Sequence, residues 1–148
     1  MPVTYYDADL LLRVYDLRRE TRIRQARDFV LHKCSFKDYE DFKKKYPEDS
    51  PGRAHIGMVF TYWDMVCALV ARGLLDEDLF NTCNTEHVFL WFKYKPVITG
   101  GRAEYQFPAH LASLEKVAMR HPAAAKMEQW VAQMASPPPK KAKKSAAR

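Results

Sequence analysis

The chain has 148 residues and a formal net charge of +6, a length that corresponds to one domain with room for a hydrophobic core. Its three cysteines, Cys34, Cys67 and Cys83, are odd in number and far apart, which argues against a disulfide framework and favours a reducing cytosol. The segment SPPPKKAKKSAAR, residues 136–148, carries five of the 24 basic residues and no acidic residue, so the basic charge is poor evidence that a folded body binds nucleic acid.

The N-terminal part of the chain predicts helices. From Thr4 to Thr21, apolar residues recur at helical spacing after acidic residues in the first turn, which also excludes a signal peptide. Ile23, Ala26 and Val30 repeat the pattern, either as a second helix or as the continuation of one long bent helix. Ser35 and Asp38 have the spacing of a capping box, and the helix that they begin is expected to end at Pro47.

The longest apolar stretch runs from Ala54 to Ala71 and predicts the central element of the fold. Ser50 and Pro51 are typical of a helix start, and Gly73 is typical of a Schellman cap with Leu74 folding back on Leu69. A helix that is apolar on nearly every side is a core helix or a membrane span. Because Asp64 lies in its middle, and a mid-bilayer Asp costs roughly 2.5–3.5 kcal/mol, we expect a core helix and no membrane span.

Further helices are expected downstream. A short one with acidic residues at its start covers residues 76–83. Residues 87–94, HVFLWFKY, have the composition of a strand but the spacing of a helix, and we favour a helix that Pro96 and Gly100-Gly101 terminate. Pro108 is expected to start the next helix, with Leu111, Leu114, Ala118 and His121 on one side, and Pro122 separates it from a last helix that contains Met127, Trp130, Val131 and Met134.

These elements predict an all-α fold, a compact bundle of six or seven helices around the central apolar helix. Residues 1–135 are expected to form a single helical domain. Residues 136–148 contain three prolines and several lysines with no large apolar group to bury, so we expect a disordered basic tail.

Several segments resemble a bacterial family known as a domain of unknown function. The sequence RQARDFV, from Arg24 to Val30, is similar to the family's R-x-A-R-x-F-V helix. The sequence LVARGLLDEDL, from Leu69 to Leu79, is similar to the turn that ends the family's apolar helix. The resemblance covers roughly Tyr15 to Ala125 and implies an all-helical domain, often preceded in relatives by a membrane helix, with no assigned activity. We expect no such membrane anchor in this chain.

Asp64 is the residue that most needs a partner, because a buried carboxylate must be paired or it takes up a proton. We expect a structural ion pair or hydrogen bond with Arg24 or Arg27 of the second helix. An alternative is a catalytic acid or base, but no companion group is visible at a suitable spacing. The five histidines show no zinc-ligand spacing, and no nucleotide-binding or hydrolase motif is present, so no metal, cofactor or catalytic residue is predicted.

Two candidate interaction sites remain. Phe89, Trp91, Phe92 and Tyr94 form either core packing, a stacking platform for single-stranded nucleic acid, or an exposed patch for a protein partner. A polyanion-binding arm is indicated in the tail by Lys140, Lys141, Lys143, Lys144 and Arg148.

The function predicted from these observations is a non-enzymatic, cytoplasmic protein-interaction module, such as an accessory subunit of a larger assembly. The first alternative is a protein that attaches to nucleic acid, ribosomes or another anionic surface through the Lys-rich tail. The second alternative is an unrecognised enzyme that uses Asp64.

Overall fold

The computed structural model describes residues 2–136, which contain eight α-helices and no strand. The helices are α1 Tyr5–Arg19, α2 Thr21–Asp28, α3 Tyr39–Lys45, α4 Pro51–Ala71, α5 Glu77–Cys83, α6 Glu86–Glu104, α7 Ala112–Arg120 and α8 Ala124–Ala135. One π-helical turn, Phe29–Lys33, extends α2. The predicted all-α class is confirmed. Apart from Ser136, the predicted tail lies outside the described residues.

Helix α4 begins and ends where the sequence predicts. The Ser50 side chain accepts a hydrogen bond from the amide of Arg53, and Pro51 occupies the first turn. At the other end, Gly73 has a φ of +71°. The amide of Leu74 donates to the carbonyl of Leu69 at 2.9 Å, and the amide of Gly73 donates to the carbonyl of Val70 at 3.0 Å. These two hydrogen bonds are the Schellman pattern.

The core is built around α4, which packs against α2, the π-helical turn, α5 and α7. Helix α4 is also long and apolar enough to span a membrane, but the core helices of soluble proteins often have the same length and composition. Eight of its side chains are buried inside the structure: Ile56, Val59, Phe60, Tyr62, Trp63, Val66, Cys67 and Val70. The burial of most of its large side chains is what a central core helix requires.

Helices α4 and α6 are joined by large aromatic side chains. The rings of Phe60 and Tyr94 have centroids 4.9 Å apart, and those of Trp63 and His87 are 5.5 Å apart. Trp63, Trp91 and Tyr94 are among the largest side chains that are fully buried. Aromatic rings of this size bury about 150–250 Å² each, so this layer is the main source of hydrophobic stabilisation between the two helices.

The expected end of α6 at Pro96 is wrong, because the helix continues to Glu104. Proline removes one intrahelical hydrogen bond and normally kinks or ends a helix. Here the residues after it are held by tertiary contacts: Ile98 is buried, and Arg102 forms a 2.6 Å salt bridge with Glu115. Packing on the far side of Pro96 therefore outweighs the local cost of the proline.

Two helix starts also differ from the prediction. The cap of α3 is Asp38, whose carboxylate accepts the amide of Asp41 at 2.9 Å, so Ser35 is not the capping residue. Helix α7 begins at Ala112 instead of near Pro108. Its N-cap position is Leu111, which has a φ of +56° and a side chain without hydrogen-bonding atoms, so the cap must come from elsewhere in the chain.

Gly100 allows α6 to approach α3 closely, and this contact gives a stability prediction. A Cβ at Gly100 would lie 2.4 Å from Cγ of Tyr39, at the base of a ring that cannot easily move away. We expect Gly100→Ala to lower the free energy of unfolding by about 1–3 kcal/mol, as overpacking does. Urea unfolding followed by tryptophan fluorescence measures the change.

Gly57 is the matched control, since it also lies inside a helix but has nothing within 4 Å of a Cβ. Gly57→Ala is expected to leave stability unchanged or to raise it by up to about 1 kcal/mol through helix propensity. Equal effects of the two substitutions would show that the contact between Gly100 and Tyr39 does not restrict the residue at position 100.

Candidate functional site

The predicted partnership of Asp64 with Arg24 or Arg27 is wrong. Arg27 instead binds Glu86 at the start of α6, with its Nε 2.9 Å from Oε1, and this hydrogen bond raises the pKa of the arginine. Arg24 is exposed. The sequence contained no signal that favoured Glu86 over Asp64 as the partner of Arg27, because both acidic residues are far from Arg27 along the chain.

Asp64 supplies the missing cap of α7. Its Oδ1 accepts a hydrogen bond of 2.8 Å from the amide of Leu114, which is the third residue of that helix. A side-chain oxygen at this amide does the work of an N-cap residue, and its negative charge suits the positive end of the helix dipole. The contact supports a structural role for Asp64.

The predicted aromatic interaction surface is largely buried. Trp91 is 1% exposed, Phe92 is 7% exposed and Tyr94 is fully buried, so these three side chains belong to the core. Phe89 is partly buried and packs against Trp130 of α8, with ring centroids 5.5 Å apart. The residues predicted as a polyanion-binding arm, Lys140, Lys141, Lys143, Lys144 and Arg148, lie outside the described residues.

Two histidines form a polar pair inside the core. His87 is fully buried, and its ring centroid lies 5.6 Å from that of His121 and 4.9 Å from that of Phe80. Neither ring nitrogen of His87 has a hydrogen-bond partner among the described residues. Burial, with a smaller contribution from His121, lowers the pKa of His87 to about 3, so the imidazole is neutral at physiological pH.

The described residues contain no group of three or more His, Cys, Asp or Glu side chains placed to hold a metal ion. Cys34, Cys67 and Cys83 are free thiols. Burial raises the pKa of Cys67, so this thiol stays protonated and packs as a small apolar group.

Helix α1 carries an exposed apolar stripe that the sequence interpretation did not single out. Tyr5, Ala8, Leu12 and Tyr15 recur at i, i+3, i+7 and i+10, so they lie on one side of the helix, called here the α1 outer face. Tyr5 is 94% exposed, Leu12 is 67% exposed and Tyr15 is 46% exposed. The sequence did indicate this stripe, because α1 has apolar residues on the side opposite Val14 as well as on the side that faces the core.

The opposite side of α1 is firmly attached to the bundle. Val14 is buried, and its carbonyl accepts a 2.6 Å hydrogen bond from the hydroxyl of Tyr62 in α4. The carboxylate of Asp7 accepts the amide of Asp76 at 2.8 Å. These two contacts hold α1 against α4 and the start of α5, so the α1 outer face is presented on a fixed helix.

An apolar cleft of about 460 Å³ opens between α3, α4, α6 and the segment 105–111. Its walls are mainly aromatic and aliphatic, and Arg53 contributes the guanidinium that lines it. Gly57 of α4 also lines the cleft, and its missing side chain leaves part of that space open. No single stretch of sequence indicates this cleft, because four separate segments of the chain form it.

The family model described as "Domain of unknown function (DUF4760)" matches residues 3–121, which is most of the chain. No match was found among the curated proteins or the solved structures. The matched range includes α1 through α7 and therefore contains both the α1 outer face and the apolar cleft.

The capping contact of Asp64 is testable by substitution. Asp64→Ala removes the acceptor of the Leu114 amide and is expected to lower the free energy of unfolding by about 1–2 kcal/mol. Asp64→Asn keeps an oxygen acceptor without the charge and is expected to cost less. Urea unfolding measures both, and hydrogen exchange should show faster exchange of the Leu114 amide in Asp64→Ala; equal exchange rates in the variant and the wild type would contradict the cap.

The buried His87 predicts a dependence of stability on pH. Below pH 6.5, the ordinary pKa of a histidine, this residue takes up a proton in the unfolded chain but stays neutral in the folded protein until about pH 3. The unfolded state therefore binds more protons in this window, and the histidine contributes a loss of stability of about 1.4 kcal/mol per pH unit as the pH falls. The measurement is the free energy of unfolding between pH 7 and pH 4.

His87→Phe, which keeps a ring against Phe80 and Trp63, is expected to flatten this acid-dependent loss. His32→Gln is the control, because His32 is exposed. The assignment to His87 is refuted if His87→Phe loses stability with pH as steeply as the wild type does.

Proposed function

We propose that this chain, which belongs to the DUF4760 family of unknown function, is a non-enzymatic protein-interaction module that binds a partner protein through the α1 outer face. The observation that carries the proposal is the exposure of Tyr5, Leu12 and Tyr15 along one side of a helix whose other side is fixed to the bundle. Exposed apolar side chains that line up on one side of a rigid helix are typical of an interaction site.

The energetics favour a partner over permanent exposure to water. Full burial of a leucine such as Leu12 is worth about 1.5–3 kcal/mol relative to exposure, and the rings of Tyr5 and Tyr15 add further apolar area that a partner can cover. Because α1 is already folded and anchored, its docking does not require the helix to be ordered, which keeps the entropic cost of association low.

The residues around the stripe indicate what the partner offers. Asp9, Arg13, Asp16 and Arg19 lie beside the apolar side chains, and Asp9 and Arg13 form an exposed 2.9 Å salt bridge. An apolar centre with a charged border is the usual anatomy of a protein interface. A groove with an apolar floor and polar edges on the partner would match this helix, as in helix-in-groove recognition.

A partner of this kind makes the protein an accessory subunit of a larger assembly. Three free thiols, two of them buried, support a reducing, cytoplasmic location. Attachment to nucleic acid, ribosomes or another anionic surface through Lys140, Lys141, Lys143 and Lys144 stays a prediction, since these lysines lie outside the described residues.

The proposal predicts that Leu12→Glu abolishes partner binding without unfolding the protein, because Leu12 lies at the centre of the stripe and is 67% exposed. The measurement is affinity capture from native extract with tagged wild type and variant, together with size-exclusion chromatography with light scattering of the pure protein. A band or an oligomer present with the wild type and absent with Leu12→Glu supports the proposal.

Leu17→Glu is the matched control. Leu17 is 51% exposed on the same helix, and its position five residues from Leu12 places it about 140° around the axis. It should therefore retain the partner. A wild-type protein that is strictly monomeric and captures nothing would overturn the proposal, as would equal losses in Leu12→Glu and Leu17→Glu.

A further inference from the structure

The apolar cleft is a second site, separate from the α1 outer face. Its volume of about 460 Å³ is within the range of small-molecule pockets, about 300–1,000 Å³. The residues that line it are mostly aromatic and aliphatic: Val97, Tyr105 and Phe107 are partly or largely exposed, and behind them lie the buried side chains of Phe42, Ile56, Phe60 and Ile98. The accessible lining is therefore mainly apolar. The occupant must therefore have an apolar body.

Arg53 is the charged group of the wall that is suited to binding an anion. Its guanidinium lies over the ring of Phe42, 4.8 Å from the centroid, and Nη1 donates one hydrogen bond to the carbonyl of Tyr46 at 3.2 Å. No carboxylate of residues 2–136 lies within 4.0 Å of it, whereas Arg27, Arg102 and Arg120 each have one. A guanidinium has five N–H donors, so Arg53 has donors left for a ligand.

Most of the other polar side chains of the cleft make hydrogen bonds of their own, and the exposed imidazole of His110 is the exception. The hydroxyl of Tyr39 donates to Glu104, and that of Tyr105 donates to Glu48. Thr61 donates its hydroxyl to the carbonyl of Gly57 at 2.7 Å. The two carboxylates at the rim are thus paired with tyrosines, and Lys43 also binds Glu104 at 3.2 Å. These hydrogen bonds leave the charge of Glu48 in place, and Arg53 is the cation of the lining that has donors available for an anionic head group.

The backbone around the cleft disfavours an extended peptide as the occupant. Three sides of the cleft are helices, whose amides and carbonyls are mostly used inside each helix. On the fourth side, segment 105–111, the amides of Tyr105, Phe107 and His110 donate to backbone carbonyls, so this side offers no long row of main-chain partners either. Peptide amides placed against these apolar walls would lose their hydrogen bonds to water without replacement, at a cost of about 1–3 kcal/mol each. A hydrocarbon or aromatic body carries no such cost.

We propose that the cleft binds a small amphiphilic monocarboxylate, with its apolar body between α4 and α6 and its carboxylate on Arg53. Guanidinium and carboxylate form two parallel, charge-assisted hydrogen bonds, which fixes the orientation of the ligand. The aromatic and aliphatic walls supply most of the affinity, and Arg53 supplies the preference for a negative head group.

The test uses three probes with the same chain and different head groups: dodecanoate, 1-dodecanol and dodecyltrimethylammonium, each below its micellar concentration. Isothermal titration calorimetry with the full chain is expected to show binding of dodecanoate, weaker binding of dodecanol and the weakest binding of the cation. Arg53→Gln is expected to weaken dodecanoate about tenfold or more and to leave dodecanol unchanged, since a hydrogen bond to a charged group is worth about 1.5–3 kcal/mol.

Gly57→Phe is the blocking variant, because a side chain at this position enters open space in the cleft without meeting neighbouring atoms within 4 Å of its Cβ. It should abolish binding of all three probes, and Gly57→Ala and Arg53→Lys should retain dodecanoate. Thermal melting confirms that each variant is folded.

The proposal is overturned if folded wild-type protein does not bind dodecanoate, or if Arg53→Gln weakens dodecanol as much as dodecanoate. It is also overturned if a peptide with an apolar C-terminal residue binds through Arg53 while dodecanoate does not, since the site would then recognise a polypeptide.

Discussion

The contact on which much of the bundle depends is the cluster around Glu86. Its carboxylate accepts two hydrogen bonds from Nε and one from Nη2 of Arg27, and a 3.1 Å hydrogen bond from the indole of Trp63. The cluster therefore joins α2, α4 and α6, with Arg27 and Glu86 separated by 59 residues along the chain. A partly buried ion pair is not a strong source of net stability, but removal of one partner leaves an uncompensated charge that costs about 3–5 kcal/mol. We infer that the cluster fixes how these three helices pack against one another.

The part of the fold that could be predicted from the sequence is the part that short-range chemistry determines. The N-cap at Ser50 and the Schellman turn at Gly73 depend on neighbouring residues, and both appear as expected. The prediction that α6 ends at Pro96 was wrong because the contacts that stabilise the helix beyond this residue involve distant residues, such as Glu115 on α7. The start of α7 was missed for the same reason, since its cap is Asp64 from another helix.

The candidate sites were less predictable than the fold, for related reasons. Asp64 was correctly identified as a carboxylate that needs a partner, but its partner is a backbone amide, which carries no sequence signature. The aromatic residues 89–94 were correctly placed on a helix, and composition alone could not show that most of their rings face the core. The apolar cleft requires the packing of four segments. Of the sites discussed, the α1 outer face was visible in the spacing of Tyr5, Leu12 and Tyr15.

Helix α4 supports both proposed binding surfaces through different side chains. Tyr62 holds α1 by its buried hydrogen bond to Val14, and burial raises the pKa of this tyrosine to about 12, so the hydroxyl remains a donor at physiological pH. Gly57 and Phe60, which precede it on the same helix, line the cleft. Substitutions at sites that share no partner are usually additive. Leu12 and Arg53 share no partner among the described contacts. Loss of binding at one surface therefore carries no information about the other, and the two proposed functions are tested independently.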